Sequence, residues 1–469
     1  MLTKLSIFLK FYKYFYFPVL LSILLTTGCT SIGKIDNMPV SQIPSEDERY
    51  TAANFNKQRP VGDTMLFLAF SGGGTRAAAL SYGLLEELRD TQFQENGQTV
   101  RLLDEVDRIS SVSGGSFTSA YYGLFGDQIF DDFKDVFLYE DVQGELSNLV
   151  FDFFRIISRA FTKTSRTETA IDYYDKYIFR GKTFADIQKS GGPMILINAS
   201  DLNSRSQFIF IQTQFDILCS DLSEFKVARA VAASSAVPVL FQPILIERHD
   251  DCHYQKPKWL SDAEKRAIQE DDGRLKETVH ALNYYLDKKN PPYVTLLDGG
   301  VTDNLGLRTI LRSISVSGGA KAAYKRLHPI KPPKRMVAIV VNASTTGETD
   351  IGKNKEMPSL GDTLSAVTDM QLHLYNTETN SLIKEQLLQW SKSISTKEHP
   401  IVPYLIELDV SDIKDPQEKM YFNRIPTSFS LEKEQADNLI ETAKQLLRQN
   451  PEYQRLLKDM GASADNKEI

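Results

Sequence analysis

The amino-acid sequence predicts an α/β fold with a central, mostly parallel sheet. Two strand–turn–helix units support this prediction: an apolar strand over 65–70 leads through glycines into a helix over 77–90, and a strand over 106–109 leads through a Ser/Gly-rich run over 110–116 into a second helix. A third observation is the fully apolar strand over 336–342, a composition typical of the centre of a parallel sheet. Further strands are predicted over 194–199, 207–212, 293–297 and 404–408.

The composition is that of a globular chain with a sizeable core. Its 469 residues are 42% hydrophobic and 25% charged, which suits one large domain or one domain with an extension. The formal net charge of −7 gives no reason to expect nucleic acid as a partner. A mildly acidic surface also disfavours broad electrostatic binding to anionic lipid, so attachment to a membrane must have another origin.

The N-terminus has the pattern of a bacterial lipoprotein signal. Three lysines precede a short apolar stretch over 14–25, and small residues then lead to Cys29. The apolar stretch is shorter than the roughly 20 residues of a membrane-spanning helix. We therefore expect residues 1–28 to be a signal peptide that is removed, and Cys29 to be lipidated. An uncleaved N-terminal membrane anchor stays open as the alternative.

The expected location of a lipidated chain is the outer membrane, facing the periplasm. Thr30 follows the cysteine, whereas an aspartate there, by resemblance to enterobacterial lipoproteins, retains proteins at the inner membrane. Residues 29–63 contain several prolines and many polar positions and are predicted to be a tether. The main domain is predicted over 64–345, and 346–469 is predicted to be a mainly helical extension packed on the core.

The remaining cysteines leave two possibilities open. Cys219 and Cys252 can form a disulfide in an oxidising periplasm or stay as free thiols. His249 and His253 flank Cys252 and offer a metal site as an alternative, but a solvated loop is favoured because this donor set is small. No acidic cluster resembles a calcium loop, so no metal and no cofactor are expected.

A serine motif marks a candidate nucleophile. Ser113 lies where the strand over 106–109 meets the following helix, and Ser111 and Gly115 stand two places on either side of it. Small residues at those places let the backbone turn sharply, which projects the central hydroxyl from the end of the sheet. On its own this motif is weak, because a Ser/Gly-rich loop that caps an ordinary helix has the same composition.

Two further turns follow predicted strands. The glycines over 72–74 precede a helix, where backbone N–H groups and the helix dipole can stabilise a negatively charged oxygen. Asp298 ends another strand, just before a pair of glycines. Because the carboxyl ends of strands in an open α/β sheet meet in one crevice, we expect 72–74, Ser113 and Asp298 to lie together.

The order of these motifs resembles that of the patatin-like phospholipases. Gly-Gly-Gly-x-Arg over 72–76 is followed by Ser-x-Ser-x-Gly over 111–115 and by Asp-Gly-Gly over 298–300. A fourth block, over 228–243, is similar to the family segment Ala-Ser-x-Ala-x-Pro-x-x-Phe-x-Pro. The four blocks stand in family order within residues 65–345. The resemblance implies a three-layer α/β/α patatin-like fold.

The resemblance also implies a serine–aspartate dyad, with Ser113 as the nucleophile and Asp298 as its base. The implied oxyanion hole consists of the backbone N–H groups of Gly72, Gly73 and Gly74, and the implied supporting residues are Arg76, Gly115, Gly299 and Gly300. Arg76 is expected either to support the conformation or to contact an anionic lipid. Two departures are Ser71, where many members carry an acid or a glycine, and Ser111, which replaces the first glycine of the turn.

The histidines are consistent with a dyad. A serine hydroxyl needs a neighbouring base, which is a histidine in Ser-His-Asp enzymes. None of the six histidines lies at an obvious strand end, and exposed loops or helices are expected for them. The apolar strand that leads to Asp298 is instead compatible with the desolvated setting that a carboxylate base needs.

The chain is therefore expected to be a membrane-attached serine acyl hydrolase that cleaves phospholipid or lysophospholipid esters through an acyl-enzyme. One alternative is a catalytically inert, patatin-fold scaffolding lipoprotein. Another is a phosphate- or nucleotide-binding lipoprotein, although Thr75 and Arg76 stand where a P-loop needs lysine and a hydroxyl residue. An aromatic-rich stretch over 130–184 is predicted either to pack in the core or to form a lid that dips into the membrane.

Overall fold

The computed structural model describes residues 33–45, 49–95, 97–142, 144, 166–238, 240–326, 332–345, 351, 353 and 355–462. Its strands are β1 (Thr64–Phe70), β2 (Gln92–Glu95), β3 (Gln98–Arg101), β4 (Val106–Val112), β5 (Met194–Asp201), β6 (Ser206–Ile209), β7 (Ile244–Glu247), β8 (Tyr293–Asp298), β9 (Arg335–Asn342) and β10 (Val402–Asp409).

The α-helices are α1 (Ala52–Gln58), α2 (Gly74–Asp90), α3 (Gly114–Phe125), α4 (Ile129–Phe133), α5 (Arg166–Tyr173), α6 (Phe184–Lys189), α7 (Gln212–Ile217), α8 (Val227–Ser234), α9 (Lys258–Gln269), α10 (Gly273–Leu286), α11 (Gly300–Asp303), α12 (Arg308–Ser317), α13 (Ala320–Arg326), α14 (Leu360–Ile394), α15 (Pro416–Arg424), α16 (Lys433–Gln449) and α17 (Pro451–Met460). Short 3-10 helices cover Leu102–Glu105, Gly126–Gln128 and Val410–Asp412, and π-helical turns cover Lys134–Leu138 and Tyr174–Ile178.

One large sheet forms the centre of the molecule, in the order β10-β9-β1-β4-β5-β8-β7, with β6 also paired to β5. Helices lie on both of its faces, which confirms the predicted α/β class. The first five strands in this order are parallel. The interior strands β1 and β9 are rich in apolar residues because both of their faces are covered by helices.

Strand β8 runs antiparallel to β5, which differs from the parallel arrangement assumed for the three turns. Asp298 pairs with Ala199, and Val112 at the end of β4 pairs with the adjacent Asn198. The end of β8 therefore reaches the carboxyl end of β4 from the opposite direction. The three turns still meet, because the short antiparallel ladder stops at the level where β4 ends.

The C-terminal region contributes to the sheet as well as to the helices. Strand β10 pairs with β9 along its whole length, so residues of the predicted extension 346–469 form one edge of the main sheet. Helix α16 covers the outer side of α2, with the backbone of Ile440 close to Gly83: a Cβ at Gly83 would lie only 2.4 Å from the Ile440 oxygen. This cover explains why α2 is buried on nearly every side from Gly74 to Leu88.

The described part of the predicted tether over 29–63, from residue 33 onward, packs on the domain. Tyr50 and Phe55 are 1% and 5% exposed and belong to the main hydrophobic core. The Tyr50 hydroxyl donates a hydrogen bond to the Ile195 carbonyl at 2.9 Å. The buried Asn37 side chain binds the backbone of Glu247 on β7 through both its amide nitrogen and its oxygen. Cys29, the predicted lipidation site, lies outside the described residues.

Cys219 and Cys252 are joined in a disulfide, with their Cα atoms 5.4 Å apart. This pairing settles the choice between a disulfide and free thiols. It also removes Cys252 from the alternative metal site with His249 and His253, since a disulfide sulfur is not a thiolate ligand. The Cys219 carbonyl accepts a hydrogen bond from the Val40 N–H at 2.9 Å, so the N-terminal segment is held beside the disulfide.

The described parts of the aromatic-rich stretch pack in the core. Phe133, Phe137 and Ile178 have no exposed surface. The most apolar part, over 149–157, lies outside the described residues, so a lid there stays a prediction. Within the ranges that the structure covers, no helix is both long and apolar enough to cross a membrane.

Candidate active site

The predicted sharp turn is present between β4 and α3. Ser113 connects them with φ 50° and ψ −121°, a backbone conformation that residues with a side chain rarely adopt. The turn is tightly packed, because a Cβ at Gly114 would lie 1.9 Å from the Gly74 oxygen and one at Gly115 would lie 2.7 Å from the Ser71 oxygen. The Ser113 side chain is largely enclosed, at 4% exposed.

The serine that replaces the first glycine of the turn has a hydrogen-bond partner. Ser111 is fully buried, and its hydroxyl accepts a hydrogen bond from the Ser119 hydroxyl at 2.6 Å. The Asn198 amide donates to the Ser111 carbonyl at 2.9 Å. These contacts satisfy the polar group that the serine adds.

Asp298 lies beside Ser113, as the motif order predicted. Its carboxylate, 8% exposed, accepts a hydrogen bond from the Gly300 N–H at 2.7 Å, and the Ser113 hydroxyl is its second polar neighbour. Burial raises the pKa of Asp298 to about 6, while the Gly300 and Ser113 contacts act in the opposite direction. Gly299 packs against β5, where a Cβ would lie 2.4 Å from the Asn198 oxygen.

The glycine-rich loop lies directly against the nucleophile turn, and a Cβ at Gly72 would lie 3.3 Å from that of Ser113. The Gly72 N–H donates to the Asn304 carbonyl at 3.0 Å, so it is already occupied, contrary to the predicted role of this amide. The N–H groups of Gly73 and Gly74 donate to no backbone carbonyl among the described residues. The candidate oxyanion donors are therefore Gly73 and Gly74.

Ser71 stabilises the same loop. Its hydroxyl donates to the Gly72 carbonyl at 3.0 Å and accepts from the Ala343 N–H at 2.8 Å. The loop is thereby tied to the end of β9. A serine at this departure from the family pattern thus has a clear structural role.

Arg76 is a buried support, and it is not positioned to contact a lipid. Its side chain is 2% exposed and donates to the backbone carbonyls of Ala343 and Ile425 and to the Thr427 hydroxyl. Burial lowers the pKa of Arg76 to about 10, partly offset by the charge of Asp369. The guanidinium therefore links the helix after the glycine loop to β9 and to the C-terminal segment.

Ser234 is a site residue that the sequence argument did not single out. Its hydroxyl oxygen accepts a hydrogen bond from the Ser113 N–H at 2.9 Å and lies 3.0 Å from the Ser116 hydroxyl. Its carbonyl accepts from the Gly299 N–H at 3.0 Å. The signal was present, because Ser234 lies in the fourth block, over 228–243, that resembles the family.

A cavity of about 770 Å³ opens beside the Asp298 turn. Leu297, Gly300 and Val301 line it on the β8 side, and Val367 and Tyr375 of α14 line it on the other. Val301 and Val367 are exposed by 58% and 46%, and charged residues such as Asp272, Arg274 and Glu277 also line the cavity. Its volume lies within the roughly 300–1,000 Å³ range of small-molecule sites.

The fold is that of an α/β protein, and the candidate site lies at a sharp strand–turn–helix connection at the end of a central strand. Residues 68–311, more than half of the chain, match the family model of the patatin-like phospholipases. The chain therefore belongs to the patatin-like phospholipase family, which confirms the resemblance of its motifs.

Solved structures of human GIVD cytosolic phospholipase A2 are similar to this chain. The first shares 13% identity with a TM-score of 0.45, and the alignment covers 92% of this chain and 66% of that chain. A complex with methyl gamma-linolenyl fluorophosphonate shares 12% identity with a TM-score of 0.40 and covers 92% and 69%. The present chain thus spans about two thirds of the length of these solved chains. No curated protein sequence matches it.

Proposed function

We propose that this protein is a serine acyl hydrolase that cleaves ester bonds of phospholipids or lysophospholipids through an acyl-enzyme. The observation that carries the proposal is that Ser234 binds both the Ser113 turn and the turn after Asp298, which brings the Ser113 hydroxyl close to the buried Asp298 carboxylate. The family membership supports the same activity. Asp298 is suited to act as the base, because a pKa of about 6 leaves it mostly ionised at neutral pH and still able to hold a proton during the reaction.

In the first half of the reaction, Asp298 accepts the hydroxyl proton as the Ser113 oxygen attacks the ester carbonyl carbon. The N–H groups of Gly73 and Gly74 stabilise the negative charge that develops on the carbonyl oxygen. The bond to the leaving alcohol then breaks, and this alcohol takes the proton from Asp298. The products of this half are the free alcohol and an acyl group on Ser113.

In the second half, water replaces the alcohol. Asp298 accepts a proton from the water molecule as its oxygen attacks the acyl carbonyl. When the ester bond to Ser113 breaks, Asp298 returns that proton to the serine oxygen. The fatty acid leaves, and both side chains are back in their starting states.

A lipid substrate is supported by the cavity beside Asp298. Its volume of about 770 Å³ suits an acyl chain with part of a head group, and its walls include Leu297 and Leu372. Val301 and Val367, which also line it, are exposed and offer apolar surface to a lipid. Arg308, which also lines the cavity, stacks on Tyr375 with 3.7 Å between its guanidinium carbon and the ring centre.

The decisive experiment is labelling with a fluorophosphonate, which modifies activated serines. We expect one modified peptide that contains Ser113, and we expect Ser113→Ala and Asp298→Asn to lose hydrolysis of a short-chain ester. Ser235→Ala is the matched control, because Ser235 is also a buried serine but bonds within α8 to the Val231 carbonyl. Modification of a different serine, or activity in Ser113→Ala, would contradict the proposal.

We further propose that the chain is a bacterial lipoprotein, attached through Cys29 to the outer membrane and facing the periplasm. The basic, apolar and small-residue pattern before Cys29 supports this location. The disulfide between Cys219 and Cys252 is consistent with an oxidising compartment.

The anchor is tested by mass spectrometry of the N-terminal peptide. Lipidation predicts a mature chain that begins at a modified Cys29, and Cys29→Ser should give unprocessed protein without lipid. A native chain that keeps residues 1–28 would support the uncleaved anchor instead and overturn the lipoprotein proposal.

A further inference from the structure

A second cavity, of about 450 Å³, lies between one face of the sheet and the helices α12, α13 and α14. Most of its walls are apolar, and its volume lies within the roughly 300–1,000 Å³ range of small-molecule sites. Six residues illustrate the lining from the strands and helices: Met65, Phe67, Leu196, Ile310, Ile314 and Trp390.

This cavity is distinct from the candidate active site. It lies along the first halves of the strands, near Met65 on β1 and Met336 on β9, whereas Ser113 follows the last residue of β4. Arg312 and Gln207 line both this cavity and the one beside Asp298. The Arg312 side chain donates to the Gln207 carbonyl at 3.1 Å, so a hydrogen-bonded contact stands at the boundary between the two cavities.

An arginine in the middle of the apolar sheet face is the unusual feature of this cavity. In the strand register, Arg108 on β4 stands between Phe67 on β1 and Met194 on β5. An irregularity in the pairing of β1 with β4 falls at Asp107 and brings this residue to the cavity as well. Irregular pairing of this kind commonly re-aims side chains at functional sites.

The polar contacts of Arg108 leave most of its donors unused. One terminal nitrogen donates to the Asn56 side-chain oxygen at 2.9 Å, and this is its one side-chain hydrogen bond in the part of the chain that the structure describes. The neighbouring Asp107 carboxylate accepts from the Leu66 N–H at 2.9 Å. A guanidinium has several further N–H donors, and Arg108 is only partly buried, so these donors are open to a ligand that enters the cavity.

The charged residues that line the cavity are three arginines and one aspartate: Arg108, Arg312, Arg326 and Asp107. A ligand that fits these walls has an anionic group at one end and an apolar body. A volume of about 450 Å³, at the low end of the range for ligand sites, suits one chain better than two.

We propose that this cavity binds a single-chain carboxylate, a long-chain fatty acid, with its carboxylate on the Arg108 guanidinium and its chain between the sheet and helices α12 and α14. A carboxylate accepts two parallel N–H donors from one guanidinium, which would satisfy the unused donors of Arg108. This binding site is separate from the proposed site of ester hydrolysis, and the binding proposal does not depend on that activity.

The two tryptophans of the chain, Trp259 and Trp390, both line this cavity, so tryptophan fluorescence reports its occupancy. We would titrate the full chain carrying Ser113→Ala, which cannot form an acyl-enzyme, with a brominated palmitic acid. The expected result is saturable quenching at one site. Unlabelled palmitic acid should reverse the quenching, and 1-hexadecanol should do so about tenfold less effectively, since it lacks the charge.

Arg108→Gln keeps a donor for Asn56 and removes the charge, so it should weaken acid binding about tenfold and abolish the preference for acid over alcohol. Arg326→Gln, at an exposed arginine of the same lining, is the matched control and should change the affinity less than twofold. The proposal is overturned by the absence of saturable quenching, by equal competition from acid and alcohol, or by unchanged acid binding in folded Arg108→Gln. The acid–alcohol comparison tests the proposal even where Arg108→Gln does not fold.

Discussion

The Ser113 N–H donates a hydrogen bond to the Ser234 hydroxyl oxygen at 2.9 Å. The carbonyl of the same Ser234 accepts from the Gly299 N–H at 3.0 Å, so one residue at the end of α8 holds the nucleophile turn and the aspartate turn together. Ser234 is fully buried, which shields both contacts from competition by water. The position of Ser113 relative to Asp298 therefore depends on Ser234.

We expect Ser234→Ala to reduce kcat for ester hydrolysis about tenfold or more with little change in KM. The buried Ser113 N–H would lose its acceptor, which costs about 1–3 kcal/mol, and about 1.4 kcal/mol corresponds to a tenfold change in rate. Ser235→Ala is the control, because the Ser235 hydroxyl bonds to the Val231 carbonyl inside the same helix. Wild-type kcat in Ser234→Ala, or an equal loss in Ser235→Ala, would contradict this role.

The backbone conformation at Ser113 predicts that the side chain needed for activity lowers the stability of the fold. Its φ of 50° is unfavourable for a residue with a Cβ and favourable for glycine. We expect the free energy of unfolding of Ser113→Gly to be about 1 kcal/mol higher than that of Ser113→Ala, so the glycine variant should unfold at a higher temperature. Both variants should be inactive. Thermal unfolding of the two proteins side by side makes the measurement. A less stable glycine variant would show that the turn is not strained.

The local motifs allowed much of the site to be predicted. Ser113, Asp298 and the glycine loop each follow a strand, and local patterns of apolar residues and glycines identify such places well. The direction of β8 could not be predicted in the same way, because the choice between parallel and antiparallel pairing depends on neighbours distant in the sequence. The occupied N–H of Gly72 was missed for a similar reason, since its acceptor is the distant Asn304.

Two packing contacts at the edges of the domain had signals in the sequence. Tyr50 and Phe55 are large apolar residues within the predicted tether, and a free linker has no reason to carry them. Gly83 lies in the middle of α2, where glycine is unfavourable unless another backbone comes close. That close backbone belongs to α16 in the C-terminal region, which the prediction treated as an extension.

The buried contacts of Arg76 predict that lysine cannot replace it. Arg76 reaches three separate acceptors, on Ala343, Ile425 and Thr427, and a lysine ammonium cannot bridge acceptors spread over a planar fork in this way. We expect Arg76→Lys to lower the free energy of unfolding by about 2–3 kcal/mol, measured by urea denaturation. The control is Arg89→Lys on the same helix. Arg89 pairs with the exposed Asp90, and weakening this ion pair should cost less than about 1 kcal/mol.

The activity of Arg76→Lys also separates the two roles first expected for this arginine. If Arg76 is a structural support, the activity that remains in Arg76→Lys should not depend on the anionic lipid content of the substrate vesicles. A contact with lipid predicts a selective loss on anionic vesicles, and that result would contradict the burial of Arg76.

The pKa of Asp298 predicts how activity depends on pH. Asp298 must be ionised to accept the Ser113 proton, and burial raises its pKa to about 6. We therefore expect kcat/KM for a neutral ester to rise with pH through about 6 and then to level off. Asp298→Asn should show only a low rate without this rise. A midpoint near 4, the usual value of a solvated aspartate, would contradict a buried base.

The same carboxylate predicts a pH-dependent cost in stability. Because the pKa of Asp298 rises from 3.8 in the unfolded chain to about 6 in the folded one, the folded state binds this proton more tightly. Its contribution to stability is full below about pH 4 and is lost as the pH rises through about 6, and the cost at neutral pH is on the order of 2–3 kcal/mol. Asp298→Asn cannot ionise and keeps an acceptor for the Gly300 N–H, so it should unfold at higher urea concentration than wild type at about pH 7 and at nearly the same concentration at about pH 4. Equal stabilisation at both pH values would mean that the gain does not come from the charge of Asp298.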